Sequence, residues 1–218
     1  MLLKTIFFAI LFMCFSLSVF SENITVKAKE CVNQKHVTQQ TANFQFQCGR
    51  FYLNGVGVDK NRNKAIQYFT LAADNDHILS AFGLSSLYGS ENTSMFNKVM
   101  YYEYTKKTID LYEEHGRKLD NAVGKNVASH LYESLGTSYS NGYGTKKDKK
   151  KALYWLNRAL KEVDKDLKEE LSDIQLSLCL LHYDNGSVAS NREEASIWCS
   201  KSMKNGNNHA VSVLREIN

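Results

Sequence analysis

A short motif that occurs three times decides the fold of this chain. Its clearest copy reads Leu135-Gly136-Thr137-Ser138-Tyr139-Ser140-Asn141-Gly142-Tyr143-Gly144-Thr145. The segment from Cys48 to Val58 aligns with it without a gap, and a more divergent third copy runs from Cys179 through Tyr183 to Val188. Self-similarity at a spacing of a few tens of residues is typical of a repeat architecture.

A second repeated element follows each copy of the motif at the same offset. In it, an alanine and an aromatic residue stand three positions apart, as Ala65 with Tyr68, Ala152 with Trp155 and Ala195 with Trp198. That spacing places both on one helix face, where the small residue allows close approach and the aromatic fills the groove. Core packing therefore explains the aromatics, and a carbohydrate or cofactor platform at Trp155 and Trp198 is the alternative.

Each repeat is expected to be a helix, a turn and a second helix. The turn glycines can adopt the positive φ angles that reverse the chain. Asn61, Asp148 and Asn191 stand where the second helices begin, and their side-chain oxygens suit the N-cap. No proline interrupts these segments. The sequence therefore predicts an all-α fold.

The motif carries a family resemblance. Leu135 to Tyr143 followed by Asp148 to Trp155 resembles the Sel-one-like repeat, a relative of the tetratricopeptide repeat. The resemblance implies a short right-handed α/α superhelix, or solenoid, whose first helices line a concave side. Members of the family act as adaptors and scaffolds, and small exported bacterial members include periplasmic immunity proteins that neutralise antibacterial effectors.

The repeats suggest a domain organisation. We expect a signal peptide over residues 1–21, a leading segment over 22–36 and the repeat array over 37–218. The array comprises repeats at about 41–76, 128–163 and 172–206, a degraded repeat at 77–108, an extended linker helix at 109–127 and a capping helix at 207–218.

The N-terminus has the form of a secretory leader. Lys4 supplies a positive charge, the stretch from Ile6 to Phe20 is apolar, and Val19 and Ser21 are small residues suited to a cleavage site. We expect cleavage after Ser21, which predicts a periplasmic or secreted protein with no stable membrane insertion. An uncleaved membrane anchor is the alternative, although the apolar stretch is short of the roughly 20 residues that span a bilayer.

Four cysteines remain after the expected leader. An even number in an exported chain favours disulfides, and the simplest of three connectivities joins Cys31 to Cys48 and Cys179 to Cys199. Buried free thiols are the alternative.

The charge distribution argues against nucleic acid as a partner. The chain has 27 basic and 23 acidic side chains, a formal net charge of +4. They are intermixed except in one short basic run, which consists of Lys146, Lys147, Lys149, Lys150 and Lys151. Nucleic acid requires a more sustained basic face.

The sequence shows no pattern of catalytic residues. The histidines lack the spacing of a zinc pair, and the glycine turns follow helices, whereas phosphate-binding loops follow strands. The carboxylates from Asp164 to Asp173 alternate with lysines, which is typical of a solvated helix face. We therefore predict no catalytic group, no metal and no cofactor. The alternative is a cysteine-rich repeat hydrolase or binder of cell-wall-related compounds.

The predicted function is binding of another protein. Arg50, Glu133, Thr137 and Ser138 lie between the inward positions of the first helices. We expect these four side chains to be exposed on the concave surface and to contact the partner.

Overall fold

A computed structural model describes residues 26–32, 37, 40–90, 93–115, 127–183 and 191–217. The helices are α1 (Ala42–Asn54), α2 (Arg62–Asp74), α3 (Ile78–Gly89), α4 (Lys98–His115), α5 (Val127–Asn141), α6 (Lys149–Glu162), α7 (Lys168–His182), α8 (Arg192–Lys204) and α9 (Asn208–Ile217). These described ranges contain no strand, so the predicted all-α class is confirmed. The expected leader, the third motif's turn at Gly186 to Val188 and residues 116–126 of the linker lie outside the described residues.

The helices pack as consecutive pairs. The described residues up to Ala81 form one compact unit, and those from Phe82 onward form another. In the first unit α1 packs against α2, and in the second α5 packs against α6 and α7 against α8. α9 packs against α8 and α7. Each copy of the sequence motif thus folds with the element that follows it.

The turns and caps form as the sequence predicts. Gly142 and Gly144 have φ angles of 73° and 67°, a backbone conformation that residues with a side chain rarely adopt. These two glycines allow the chain to reverse between α5 and α6. The side chains of Asn61, Asp148 and Asn191 each accept a hydrogen bond from a backbone N–H three residues later. These bonds satisfy donors that have no partner within the helix.

The first unit is held together around Cys48. A Cβ atom on Gly49 would lie 2.5 Å from the ring of Phe69, so the glycine permits the close contact of α1 with α2. Cys31 and Cys48 form a disulfide with a Cα–Cα distance of 5.4 Å. The Tyr68 hydroxyl donates to the Cys31 carbonyl at 2.8 Å. These contacts fasten the short helical segment 26–30 and its turn to the α1–α2 pair.

The central pair of the second unit, α5 and α6, is held by apolar packing. Leu135 and Leu156 are both fully buried. A Cβ atom on Gly136 would lie 2.7 Å from Cγ of Leu156, so only glycine leaves room for that leucine. Packing of this density is what makes core side chains sensitive to truncation.

The last pair, α7 and α8, is joined covalently. Cys179 and Cys199 stand at the positions that correspond to Leu135 and Leu156, and they form a disulfide with a Cα–Cα distance of 5.1 Å. Both are fully buried, in a cluster that includes Ala210, Val213 and Ile217 of α9. α9 thus covers the apolar side of the last pair.

Helices α3 and α4 pack through polar and aromatic contacts. The hydroxyls of Ser85 and Thr105 are 2.6 Å apart and buried. The rings of Tyr88 and Tyr104 stack with their centroids 5.8 Å apart. A helix pair therefore forms in this region although the sequence motif there is degraded.

Candidate functional site: the first-helix face of the second unit

Three of the four predicted binding residues, Ser138, Thr137 and Glu133, are not freely exposed. Ser138 is fully buried, and its hydroxyl donates to the Ser134 carbonyl at 2.8 Å. Its expected exposure was wrong because position 138 follows Leu131 and Leu135 by seven and three residues, which puts it on their inward face. Thr137 is half-buried and donates to the same carbonyl at 3.0 Å.

Arg50 lies in the first unit and is exposed on α1. Its guanidinium carbon is 5.8 Å from the centroid of the Phe46 ring, a distance compatible with a weak cation–π interaction. Arg50 is thus available to a partner.

Glu133 lies in the second unit, where α5 packs against α7. It is half-buried, and its Oε1 accepts a hydrogen bond from the Ser177 hydroxyl of α7 at 3.1 Å. Three further ionisable groups are close enough for their charges to affect its pKa: His130 on its own helix, and Glu170 and Asp173 on α7. We call these four residues the α5–α7 acidic cluster.

The other members of the cluster have incomplete pairing. His130 Nε2 is 3.4 Å from Glu170 Oε1. The second oxygen of Glu170, Oε2, is buried and has no hydrogen-bond partner in the described part of the chain. Asp173 accepts a hydrogen bond from the Asn207 side chain at 2.9 Å. A buried oxygen without a donor is costly, so a native protein that keeps one calls for an explanation.

Burial raises the pKa of two carboxyl groups in the cluster, those of Glu133 and Asp173. Desolvation raises the pKa of Glu133 to about 7, and the charges of Asp173 and Glu170 add to the rise. The Ser177 hydrogen bond and His130 oppose it. Desolvation also raises the pKa of Asp173. A cationic group placed here would favour the ionised carboxylates and lower the pKa of Glu133 again.

Sequence reasoning named Glu133 as an exposed residue and gave the other members of this cluster no role. The signal was present in the spacing, since His130 with Glu133 and Glu170 with Asp173 each stand three residues apart and so share a helix face. Their meeting depends on how α5 packs on α7, which spacing along one helix does not encode. The lysines between the carboxylates of α7 instead suggested a solvated face.

The aromatic residues of the central pair support one another. Trp155 stacks on Tyr132 with ring centroids 5.5 Å apart, and the guanidinium of Arg158 lies 4.2 Å from the centroid of the Tyr132 ring. Arg158 also donates to Glu113 at 2.5 Å and to the Tyr132 hydroxyl at 2.8 Å. Packing with this internal arginine accounts for Trp155.

Across the described ranges, no three residues among His, Cys, Asp and Glu are arranged to hold a metal ion. None of the helices in the described part of the chain is both long and apolar enough to cross a membrane.

Comparisons with known proteins agree with this fold. Residues 42–77, 132–163 and 173–207 match the family model described as Sel1 repeat. A solved Sel1 repeat protein from Oxalobacter formigenes is similar, with 22% identity and a TM-score of 0.52 over 87% of this chain and 66% of that one. No curated protein sequence matches this chain.

A second solved structure is c5321, a protective antigen present in uropathogenic Escherichia coli strains that displays an SLR fold. It has 18% identity and a TM-score of 0.35, over 93% of this chain and 57% of that one. The chain thus spans 66% and 57% of the lengths of these two solved relatives.

Proposed function

Because the chain belongs to the Sel1-repeat family, whose members generally mediate protein–protein interaction, we propose that it is an extracytoplasmic module that binds another protein. The most specific form of this proposal is a periplasmic immunity protein that neutralises an antibacterial effector. An envelope adaptor or scaffold is the broader form. In either form the chain acts by occupying a surface of its partner.

The extracytoplasmic location is supported by the cysteines and by the expected leader. Both cysteine pairs lie at disulfide distance, with Cα–Cα separations of 5.4 and 5.1 Å. Disulfides persist in oxidising compartments and are rare in a reducing cytosol. The apolar stretch from Ile6 to Phe20 has the composition expected of an export signal.

The observation that carries the binding proposal is the incomplete pairing of the α5–α7 acidic cluster. Glu133 is desolvated, and Glu170 keeps a buried oxygen without a donor in the described residues. A lysine or arginine of a partner would supply both a positive charge and hydrogen-bond donors at this place. Removal of one member of a buried, hydrogen-bonded charge pair at an interface weakens binding strongly, because the other charge is left buried and unpaired.

The test begins with isolation of the mature protein from the periplasm of its source and identification of the protein that co-purifies. Glu133→Gln should then weaken binding of that partner at least about tenfold, because the charge that meets the partner's cation is removed. Binding by the wild type should strengthen as the pH rises through about 7, where Glu133 ionises. Calorimetric titration measures both effects.

Glu103→Gln is the matched control, since Glu103 is an exposed carboxylate on α4. It should leave the affinity unchanged. Equal affinity of the Glu133→Gln variant and the wild type would show that the acidic cluster is not part of the interface. Retention and turnover of a small molecule, with no bound protein, would contradict the binding function itself.

The raised pKa of Glu133 favours one second candidate, a hydrolase of cell-wall-related compounds. A carboxyl group that titrates near pH 7 can act as a general acid, and Glu170 or Asp173 would be the accompanying base. Release of soluble fragments from purified peptidoglycan, abolished by Glu133→Gln, would support this candidate. Absence of release by the wild-type protein would eliminate it for that substrate.

A further inference from the structure

Lysines gather at the turn that joins α5 to α6. Residues 146–151 contain five lysines and one acidic residue, Asp148. The corresponding residues of the first repeat, 59–64, hold four charged side chains, of which Asp59 is acidic, and those of the last repeat, 189–194, end in Arg192-Glu193-Glu194. Positive charge at this place is thus greatest in the central repeat, smaller in the first, where Lys60, Arg62 and Lys64 accompany Asp59, and absent as a surplus from the last.

A lysine from another helix extends this surface. The turn packs directly on the start of α4, where a Cβ atom on Gly144 would lie 2.7 Å from Cβ of Tyr102. Lys98 Nζ consequently lies 4.1 Å from the centroid of the Tyr143 ring. We call Lys98, Tyr143, Lys146, Lys147 and Lys150 the basic turn patch. All four lysines are exposed, and Tyr143 is half-exposed between them.

This placement of positive charge opposes the electrostatics of the helix. The N-terminus of a helix carries a partial positive charge and favours acidic side chains. The first turns of α6 and α2 contain no acidic residue, whereas the first turn of α8 contains Glu193 and Glu194. Asp148 accepts the capping hydrogen bond from the Lys151 N–H and lies 3.9 Å from its Nζ.

The patch lysines are not neutralised within the described part of the chain. Lys146, Lys147 and Lys150 form no ion pair with another described residue. Departures from the local rules of stability are expected at functional sites, which makes this cluster a candidate for one. Its charge then serves an interaction outside the chain.

We propose that the basic turn patch docks an acidic segment of a partner protein. The positive charge of the patch is complementary to a partner segment with several negative charges. Tyr143 and Lys98 add an aromatic ring and a cation, and aromatic side chains are enriched in protein interfaces. Nucleic acid is disfavoured because the patch offers one aromatic ring and a short basic track. An anionic membrane is disfavoured because Val99 is its single exposed apolar neighbour on α4. The surface is separate from the α5–α7 acidic cluster, so each can fail without the other.

The probe is a short fluorescein-labelled peptide of alternating glutamate and aspartate, titrated with the full mature protein and followed by fluorescence anisotropy. Lys146→Glu, Lys147→Glu and Lys150→Glu combined should weaken its binding at least about tenfold. The control reverses Lys161, Lys165 and Lys168, which are also exposed and change the net charge equally. The control should stay within about twofold of the wild type, because distant charges are screened at physiological salt.

The melting temperature separates binding from folding. Reversal of Lys150 improves the interaction with the helix dipole, so the combined variant should melt no lower than the wild type. If it fails to fold, the corresponding glutamine variant provides the measurement and should also lose affinity. Equal loss in the control variant would overturn the proposal. So would tighter, patch-dependent binding of a labelled DNA oligonucleotide or of phosphatidylglycerol vesicles than of the peptide.

Discussion

The central and last helix pairs are held together by different interactions at corresponding positions. In the central pair, Leu156 of α6 fits against Gly136 of α5, and both Leu135 and Leu156 are buried. In the last pair, a disulfide between Cys179 and Cys199 occupies the corresponding positions, and Leu180 replaces the glycine and is 42% exposed. Shape complementarity holds one pair and a covalent bond holds the other. A repeat that loses its glycine can thus keep its helices together by a cross-link.

The largest effect is expected from Leu156→Ala. The side chain is fully buried against Gly136, so its removal loses apolar burial and leaves a cavity. We expect the free energy of unfolding to fall by about 4 kcal/mol. Urea denaturation followed by circular dichroism measures it. A loss close to that of an exposed leucine such as Leu167→Ala would show that packing does not hold the central pair.

The next effect concerns the bond of the last pair. Cys179→Ala with Cys199→Ala opens a loop with a sequence separation of 20 residues, and the free energy of unfolding should fall by about 3 kcal/mol. The variant Cys179→Leu with Cys199→Leu should not restore the loss, because a Cα–Cα distance of 5.1 Å is too short for two leucines. Four titratable thiols in the wild-type protein purified from an oxidising compartment would contradict the cross-link.

A smaller effect is expected where the two pairs meet, at Glu133 and Ser177. The pKa of Glu133 is raised from 4.5 to about 7, so the folded state binds its proton more tightly than the unfolded state. The stabilisation is complete below pH 4.5 and is lost as the pH rises through 7. Relative to the wild type, Glu133→Gln should therefore gain about 2 kcal/mol between pH 5 and pH 8.

Thermal melts at the two pH values test this linkage. The exposed Glu103→Gln should follow the wild type at both pH values. A constant difference between Glu133→Gln and the wild type would mean that Glu133 titrates normally in the folded protein, and would weaken its assignment to a desolvated cluster.

The smallest effect compares the caps of the second helices. Asp148→Ala and Asn191→Ala each remove an acceptor for a helix N–H, at a cost of about 1 kcal/mol. Asp148→Ala should cost more, because α6 then begins with lysines and no acidic residue, whereas α8 keeps two glutamates. Chemical denaturation in low salt is the measurement. Equal losses would show that the charges flanking α6 do not affect its stability.

The fold was accessible from the sequence because its signals are local. The alanine–aromatic spacing, the turn glycines and the caps each lie within one repeat. The glycines of the first two motif copies and the caps at Asn61, Asp148 and Asn191 form as expected. The two cysteine pairings were also local. The helices and turns followed from periodicity and turn chemistry, and the pairings were the simplest of three connectivities.

The site was less accessible because it depends on contacts between repeats. Ser138 was expected at the surface, but it faces inward with Leu131 and Leu135. Glu133 was chosen as an exposed residue, whereas α7 covers it and brings Ser177 to it. The desolvation that sets its pKa arises from that packing, and no spacing along α5 specifies it.

The two disulfides also bear on the order in which the chain can acquire its structure. Their partners are 17 and 20 residues apart, so each ring closes within a single helix pair and its neighbouring segment. A crossed pairing would have to close a far longer loop against a larger entropic cost. Each native bond can therefore form as soon as its own stretch of polypeptide enters an oxidising environment, before the rest arrives. Oxidation would proceed along the chain without reshuffling of mispaired sulfurs.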